Sequence, residues 1–477
     1  MNYLTVDVAV IGAGSAGLAA YRAARAQGAR AVLIERGPHG TTCARVGCMP
    51  SKLLIAAAAA AHQVTDAAGF GIHAGDVRID GRQVMARVRA ERDRFVDFVL
   101  AGEAQIPAAD RLSGSAKFIG PQQLQVDQHT QISAARIVLA TGSQPIIPDE
   151  LSGLGACVVT SDQLFDMTDL PASIAVIGSG AIGLELGQAL HRLGVRTALF
   201  NRDERLGPLT DPAVLSNAIT CIGAELDLRL AYQQLDVQRE GAGAAVHSID
   251  KDGVARSEHF AMVLVAVGRR PNLQTLQLDR SGLTLDAHGV PDFDPHTMQC
   301  GSSYVFIAGD ANDEIPLLHE AVDQGQIAGD NAARFPAIAL GLRHSPLGVV
   351  FCEPQIAMVG QRFSDLQTGT FAIGSVDFAT QGRSRVLRQN RGLLRVYGEL
   401  GSKHFLGAEM VGPSAEHLAH LLAWACQQKM TVAQMLQMPF YHPVIEEGVR
   451  TALRELQDRL EASDAQGMHC DACTPGR

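Results

Sequence analysis

Short apolar runs bounded by glycine recur along this chain. Between them lie longer stretches where apolar residues return at helical spacing. Asp7-Val-Ala-Val-Ile11 is the first such run and reads as a buried parallel strand. Gly12-Ala-Gly14-Ser-Ala-Gly17 follows, then an alanine-rich helix, then a second run, Ala31-Val-Leu-Ile-Glu35. The same order returns from Ser173: a strand over Ile174–Ile177, Gly178-Ser-Gly180-Ala-Ile-Gly183, a helix over Leu184–Leu193 and a strand over Thr197–Phe200. Strands alternating with helices predict parallel sheets with helices on their faces. Polar residues at helical spacing predict one long amphipathic helix over 64–100, ending in Val84–Leu100. From 112 to 140 the period falls to two. Lys117–Ile119, Gln123–Val126 and Ile132–Ile137 predict a meander inserted in the first unit. Tyr304–Ile307 is a further buried strand, and a helix begins over His319–Gly325. Beyond Pro346, strands at Val349–Phe351, Gln355–Gly360, Gly392–Tyr397 and Leu406–Val411 precede helices at 414–428 and 431–438. The fold class is therefore α/β, with two Rossmann-like units and a C-terminal α+β unit.

Composition narrows this only a little. The 477 residues allow two to four domains, and 48 glycines with few aromatics suit an α/β protein rich in tight turns. A net charge of −10 argues against a nucleic-acid partner. Met1–Val6 lacks a basic leader, so the cytoplasm is the expected location. No uninterrupted apolar stretch of about 18 residues occurs, so no membrane span is expected. Nine cysteines, an odd number, do not form a secreted disulfide framework.

The glycine runs carry chemistry. Gly12, Gly14 and Gly17 permit a tight turn and let a pyrophosphate approach the N-terminus of the following helix, whose free N–H groups bind it. Glu35 is placed to accept hydrogen bonds from a ribose. Gly178, Gly180 and Gly183 repeat the device, so the chain binds two dinucleotides. At the end of the second unit's second strand, NAD sites carry an acid, and here the residue is Asn201. Arg202 and Arg205 follow and suit a 2′-phosphate, while Asp203 and Glu204 dilute their charge. The balance leans slightly to NADP(H) with NAD also admitted; the alternative for both arginines is a solvated turn.

The stretch Gly40-Thr-Thr-Cys43-Ala-Arg-Val-Gly-Cys48-Met-Pro-Ser-Lys52 sets two cysteines five positions apart before an alanine-rich helix. On one helical turn they approach within disulfide reach, and a helix N-terminus favours thiolate. Taken alone, they read as two structural cysteines in a turn. Lying just after a dinucleotide fingerprint, the stretch resembles the class I flavoprotein disulfide reductases, which include dihydrolipoamide dehydrogenase, glutathione reductase and mercuric reductase. The resemblance runs from about Val6 to Leu460.

That resemblance implies FAD at the first fingerprint, Cys48 as the thiolate against the flavin and Cys43 as the thiol facing substrate. It implies that Lys52 meets Glu185 beside the flavin, that Thr141 and Gly142 pass close to it, and that Asp310 binds its ribityl hydroxyls. Gly268 belongs to a Gly-Arg-x-Pro-Asn motif shared with the family. His442 and Glu447 form an acid/base dyad that one subunit sets over the cysteines of the other, so a homodimer is implied. The implied domains are 1–150 (FAD), 151–275 (NAD(P)), 276–345 (continuation of the FAD domain), 346–460 (interface) and a tail, 461–477. Two residues depart from the pattern: Thr41 replaces a glycine and Arg45 an asparagine.

The expected substrate is a small dithiol or disulfide or a lipoyl-bearing protein, with dihydrolipoamide dehydrogenase-like activity. Two alternatives stand beside it. One is an NADPH-dependent disulfide or metal-ion reductase that uses Cys470 and Cys473 of the tail as a relay. The other is a flavin-binding redox sensor or scaffold. Cys470, Cys473 and His469 could also hold a soft metal, though three ligands on a loose tail make a poor site.

Overall fold

The computed structural model describes residues 1–471, with side chains through residue 463. Cys473 and the side chain of Cys470 lie outside the described residues, and so does the relay expected of them.

The first sheet is built around β1 (Asn2–Ile11), whose residues 8–11 are buried. It pairs in parallel with β2 (Ala31–Glu35) on one side and with Thr130–Leu139 on the other. Arg111–Ser113 extends the β2 edge. The strand Thr130–Leu139 is ten residues long and serves two partners. Its first residues pair antiparallel with Gln123–Val126, and its last ones pair in parallel with Val305–Ile307. The meander is thus an extension of the same sheet, and residues 305–307 return to that sheet after the whole second unit.

The second parallel sheet has the order 227–230, 196–201, 173–177, 262–265, 158–159. An antiparallel three-stranded sheet, Gln234–Glu240, Gly243–Ile249 and Ala255–Phe260, is attached to it. The sequence reading did not find these strands. Most outward residues of the first and third are exposed and polar, so their apolar signal is one residue in two at best. Ser143–Pro145 pairs antiparallel with Arg269–Pro271 and ties the two nucleotide units together. The C-terminal unit is a five-stranded sheet in the order 347–350, 355–360, 405–412, 393–399, 371–377. The helices Ala415–Gln427 and Glu447–Asp471 pack on it through Leu418, Leu422, Leu453 and Leu456.

Several expectations need correction. Cys43 and Cys48 do not share one helical turn. They lie on α1 (Thr42–Val46) and α2 (Cys48–Asp66), because Gly47, at φ −120° and ψ −117°, breaks the helix between them. The single helix over 64–100 is two elements. The helix α2 ends at Asp66, and α3 (Gly81–Glu103) begins only after Asp80 caps the N–H of Gln83. Gly69, Gly71 and Gly75 fall in the gap, where helix formation is costly. Within Thr42–Phe70 an 18-residue window is apolar enough, by length and composition alone, to cross a membrane, although charged and polar residues interrupt the stretch. Its alanines carry that signal, while Leu54 and Ala58 are buried in the protein core. Residues 461–471 continue the last helix and do not form a separate tail.

A polar latch centred on the buried Glu409, Asp211 and Tyr397 joins the second unit to the interface unit. Glu409 accepts the N–H groups of Thr210 (2.7 Å), Asp211 (2.9 Å) and Phe363 (2.9 Å). Asp211 caps the helix Pro212–Gly223 through Ala213 N–H (2.9 Å) and takes Arg395 (2.7 Å) and Tyr397 (3.0 Å). Removing one partner of a buried ion pair leaves the other uncompensated. Asp211→Ala is therefore expected to cost about 3 kcal/mol or more, seen as a clear fall in Tm. Asp169→Ala, which breaks an exposed pair with Arg82, costs roughly 0–1 kcal/mol. Equal shifts for the two variants would exclude a structural role for the latch.

Candidate active site

Each fingerprint loop closes on itself. A Cβ on Gly17 would lie 1.7 Å from the Gly12 carbonyl oxygen, and one on Gly183 would lie 1.9 Å from that of Gly178. Only glycine fits at either place. Gly14 and Gly180, by contrast, face open space, where a pyrophosphate can approach. Glu35 accepts Ala13 N–H at 2.6 Å and Gly37 N–H at 2.8 Å, so it fixes the loop it serves. Asn201 takes the same place in the second unit: its amide oxygen accepts Ser179 N–H at 3.3 Å, and its amide nitrogen donates to Asp203 at 2.8 Å. Arg202 and Arg205 are exposed beside it.

Two cavities flank the first loop. One is lined by Gly12, Glu35, Arg36, Ser115, Thr141 and Asn272. The other, about 300 Å³, is lined among others by Gly14, Cys43, Cys48, Lys52, Gly142 and Asp310. The Thr141 hydroxyl and the Gln324 amide nitrogen are buried without a partner. The other end of Gln324 takes Gly309 N–H and the Asn312 amide at 2.8 Å each. Open space on both sides of one glycine loop, an acid at the ribose end and the unpartnered Thr141 hydroxyl in the lining of the first cavity fit an FAD with adenosine in the first cavity and flavin in the second.

The second cavity is walled by paired charges. Asp310 accepts the Ser143 hydroxyl at 2.7 Å, and Arg269 donates to that hydroxyl and to the Ser143 carbonyl at 2.9 Å each. Gly268, at φ +128°, leads into this arginine, and its carbonyl accepts Ile146 N–H at 3.0 Å. Lys52, one helical turn beyond Cys48, meets Glu185 of the helix Ala181–Arg192 at 2.7 Å. The second Glu185 oxygen accepts Phe351 N–H at 3.0 Å. Sequence reasoning missed Ser143, Gln324 and Phe351. Arg269 and Asn272 lay inside the Gly-Arg-x-Pro-Asn signal, whereas nothing in the sequence marked Phe351.

Cys43 and Cys48 share a hydrogen bond in which Cys43 donates. That bond, together with the Lys52 ammonium, draws the Cys48 thiol down to about 7, against the opposing effect of burial. The same bond, and burial, push the Cys43 thiol up. The thiolate therefore falls on Cys48. Thr41, just before α1, sits at φ +58° and ψ 148°, a region that suits glycine. Its hydroxyl accepts Ala44 N–H at 3.3 Å, which offsets part of the strain. Arg45 reaches back to the Pro38 carbonyl at 3.0 Å and braces the loop ahead of the cysteines. Both departures thus shape the entry to the redox pair.

His442 and Glu447 meet at 3.0 Å through the histidine Nδ1. Against the effect of burial, Val444 N–H, His442 and Arg450 hold the Glu447 carboxyl below the usual range. The imidazole is 80% exposed, and it does not line the cysteine cavity of its own chain.

A family model for pyridine nucleotide-disulphide oxidoreductases matches residues 6–325, and that for their dimerisation domain matches 347–453. The chain belongs to this family. It is a class I flavoprotein disulfide reductase, and the family uses FAD and a pyridine nucleotide. Its dimerisation domain supports a homodimer. A mercuric reductase from Shigella flexneri is 32% identical over 94% of this chain and 80% of that protein. A dihydrolipoyl dehydrogenase from Thermus scotoductus is 30% identical over 98% of this chain and 99% of that protein. Among solved structures, LpdA from Mycobacterium tuberculosis shares the fold with a TM-score of 0.80 at 24% identity, covering 94% of this chain and all of that one. The flavoprotein disulfide reductase RclA from Escherichia coli does so with a TM-score of 0.78 at 20% identity, covering 95% and 99%.

The cysteine assignment is tested by spectroscopy. With FAD bound, Cys43→Ser is expected to show a long-wavelength charge-transfer band and Cys48→Ser none. The Lys52 ammonium still lowers the Cys48 thiol in Cys43→Ser, so the band is present above that lowered value and fades as pH falls through it. Identical spectra from the two variants would exclude the assignment.

Proposed function

We propose that this protein is a dihydrolipoyl dehydrogenase-like enzyme, oxidising a small dithiol and passing the electrons to a pyridine nucleotide. The observation that supports this most is the extent of the likeness to the Thermus scotoductus dihydrolipoyl dehydrogenase, which spans 98% of this chain and 99% of that protein, whereas the likeness to the Shigella flexneri mercuric reductase covers 80% of that protein.

FAD, when bound, supplies the two-electron link between the cysteine pair and the nicotinamide. The protein's own residues do the thiol chemistry. With the pair oxidised, a substrate thiol gives its proton to His442 and attacks the Cys43 sulfur. The Cys43–Cys48 bond breaks, and Cys48 leaves as a thiolate. The second substrate thiol then attacks the substrate sulfur bound to Cys43; that S–S bond breaks, and Cys43 leaves as a thiol, taking up the proton the attacking thiol gives up. Cyclic disulfide is released and the pair is left reduced. Cys48 is the better leaving group, because its thiolate is stabilised by the Lys52 ammonium. Glu447 holds His442 through Nδ1, which leaves Nε2 to carry the proton. We propose that this dyad acts across the dimer on the partner's cysteines.

A panel of dihydrolipoamide, peptide disulfides and Hg(II), assayed with both nicotinamides, tests the reading. Dihydrolipoamide is expected to give the highest kcat/KM. Turnover of Hg(II) or a peptide disulfide with negligible dihydrolipoamide activity would reject it. His442→Gln is expected to slow the dithiol half-reaction ~100-fold or more while leaving reduction by NAD(P)H nearly intact. An equal loss in both half-reactions would remove the acid/base role. For the cofactor, the exposed Arg202 and the absence of an acid at Asn201 favour NADP(H). Asn201→Glu with Arg202→Ala is expected to shift the kcat/KM ratio towards NADH. An unchanged ratio would leave Arg202 without a role in cofactor choice.

A further inference from the structure

The helix Ala181–Arg192 presents three polar side chains, Glu185, Gln188 and Arg192, at spacings of three and four residues, on one face. All three are buried. They meet one short segment of the interface domain, Phe351-Cys352-Glu353, between two strands of its sheet. Gln188 both accepts Glu353 N–H and donates to the Glu353 carbonyl, at 2.7 Å each. Arg192 reaches the Glu353 carboxylate at 2.5 Å and grips Glu225 with two bonds, at 2.6 and 2.9 Å. The segment is therefore fixed at its C-terminal end by a hydrogen-bonded clamp.

The N-terminal end of the segment touches the redox site twice. Phe351 N–H holds one oxygen of Glu185 at 3.0 Å. Its ring faces the Lys52 ammonium at 4.4 Å from the centroid. One residue thus contacts both members of the Lys52–Glu185 pair, through its main chain and its side chain separately. An ammonium against an aromatic face gains electrostatic attraction and is restricted in position.

We propose that Phe351 is a positioning residue: it fixes the Lys52 ammonium between Glu185 and Cys48, and the Gln188–Arg192 clamp fixes Phe351 in turn. The interface domain thereby shapes the electrostatics of a cysteine pair that lies on another domain. The proposal rests on the reading of Cys48 as the thiolate. The groups facing Cys48 are Cys43 from α1, Lys52 from α2 and Glu185 from the fingerprint helix, with Asp310 and Arg269 on the cavity wall, both bound to Ser143. Of these, only Lys52 and Glu185 touch Phe351.

The test uses the full-length FAD-bound enzyme with Cys43→Ser, in which the serine keeps a hydrogen-bond donor. The charge-transfer band is titrated with pH, and alkylation of Cys48 by iodoacetamide is followed alongside. Phe351→Leu keeps the main-chain N–H and removes the aromatic face. It is expected to move the titration midpoint up by about half to one pH unit and to slow alkylation near pH 7 about three- to tenfold. Phe351→Tyr restores the parent values, which a purely structural role at this position would not require. Gln188→Met, which loosens the clamp without touching Lys52, moves the midpoint in the same direction and serves if Phe351→Leu does not fold. Midpoints equal to the parent in both Phe351→Leu and Gln188→Met, at full FAD content, would overturn the proposal. A parent midpoint already at the ordinary thiol value of 9.0 would overturn the assignment of Cys48 itself and the proposal with it.

Discussion

The contact on which the rest of this structure depends is the ion pair between Lys52 and Glu185. It is where three domains converge. Lys52 belongs to the helix that begins at the redox cysteine, Glu185 to the fingerprint helix of the second nucleotide unit, and Phe351, which touches both, to the interface domain. A half-exposed lysine alone would be a surface residue. A nearly buried glutamate alone would carry a desolvation cost. Each explains the other, and together they leave a cation beside Cys48. That cation, with the thiol proton of Cys43, separates two cysteines of the same kind into a thiolate and a protonated thiol. The difference between them is one of environment, which is what thiol–disulfide exchange requires of a pair with two roles.

Around this centre the structure keeps its charges paired and its glycines crowded. The two fingerprint loops close against their own carbonyls and leave Gly14 and Gly180 open on the ligand side. Glu35 and Asn201 occupy equivalent places, each holding the N–H of the loop's second residue. The change from carboxylate to amide costs the second loop little structurally and alters what a ribose or a 2′-phosphate meets there. The buried latch of Glu409, Asp211, Arg395 and Tyr397 keeps the second unit against the interface domain. Together with the Gln188–Arg192 clamp it makes the orientation of the fingerprint helix, and so of Glu185, a property of three domains.

Much of this was legible in the sequence because it is local. A buried parallel strand reads as a continuous apolar run, and a fingerprint follows it within a few residues, so both nucleotide units could be placed. The roles of the Cys43–Lys52 stretch and of the His442–Glu447 dyad came from the family resemblance; taken alone, the two cysteines read as structural. What could not be read depends on contacts distant in sequence or on backbone conformation. The break at Gly47 is a matter of dihedral angles, and the helix that begins at Cys48 could as well have begun at Thr42. The gap between α2 and α3 did carry a signal, Gly69, Gly71 and Gly75, which the helical spacing on either side outweighed in the reading. The sheet over 234–260 exposes most of its alternate residues, so its apolar signal is sparse. Phe351 looks like any aromatic at a strand end. Only its position under Lys52, some 300 residues away in the chain, gives it a role.

With Cys48 as a thiolate beside Lys52, two-electron reduction is expected to come to rest on the cysteine pair. An anaerobic titration of the oxidised FAD-bound dimer with dihydrolipoamide tests this most directly. One equivalent of dithiol per subunit is expected to produce the long-wavelength thiolate band, and Lys52→Met to weaken that band at neutral pH while leaving the stoichiometry unchanged. Bleaching of the flavin at the first equivalent with no such band, or a band indifferent to Lys52, would contradict it.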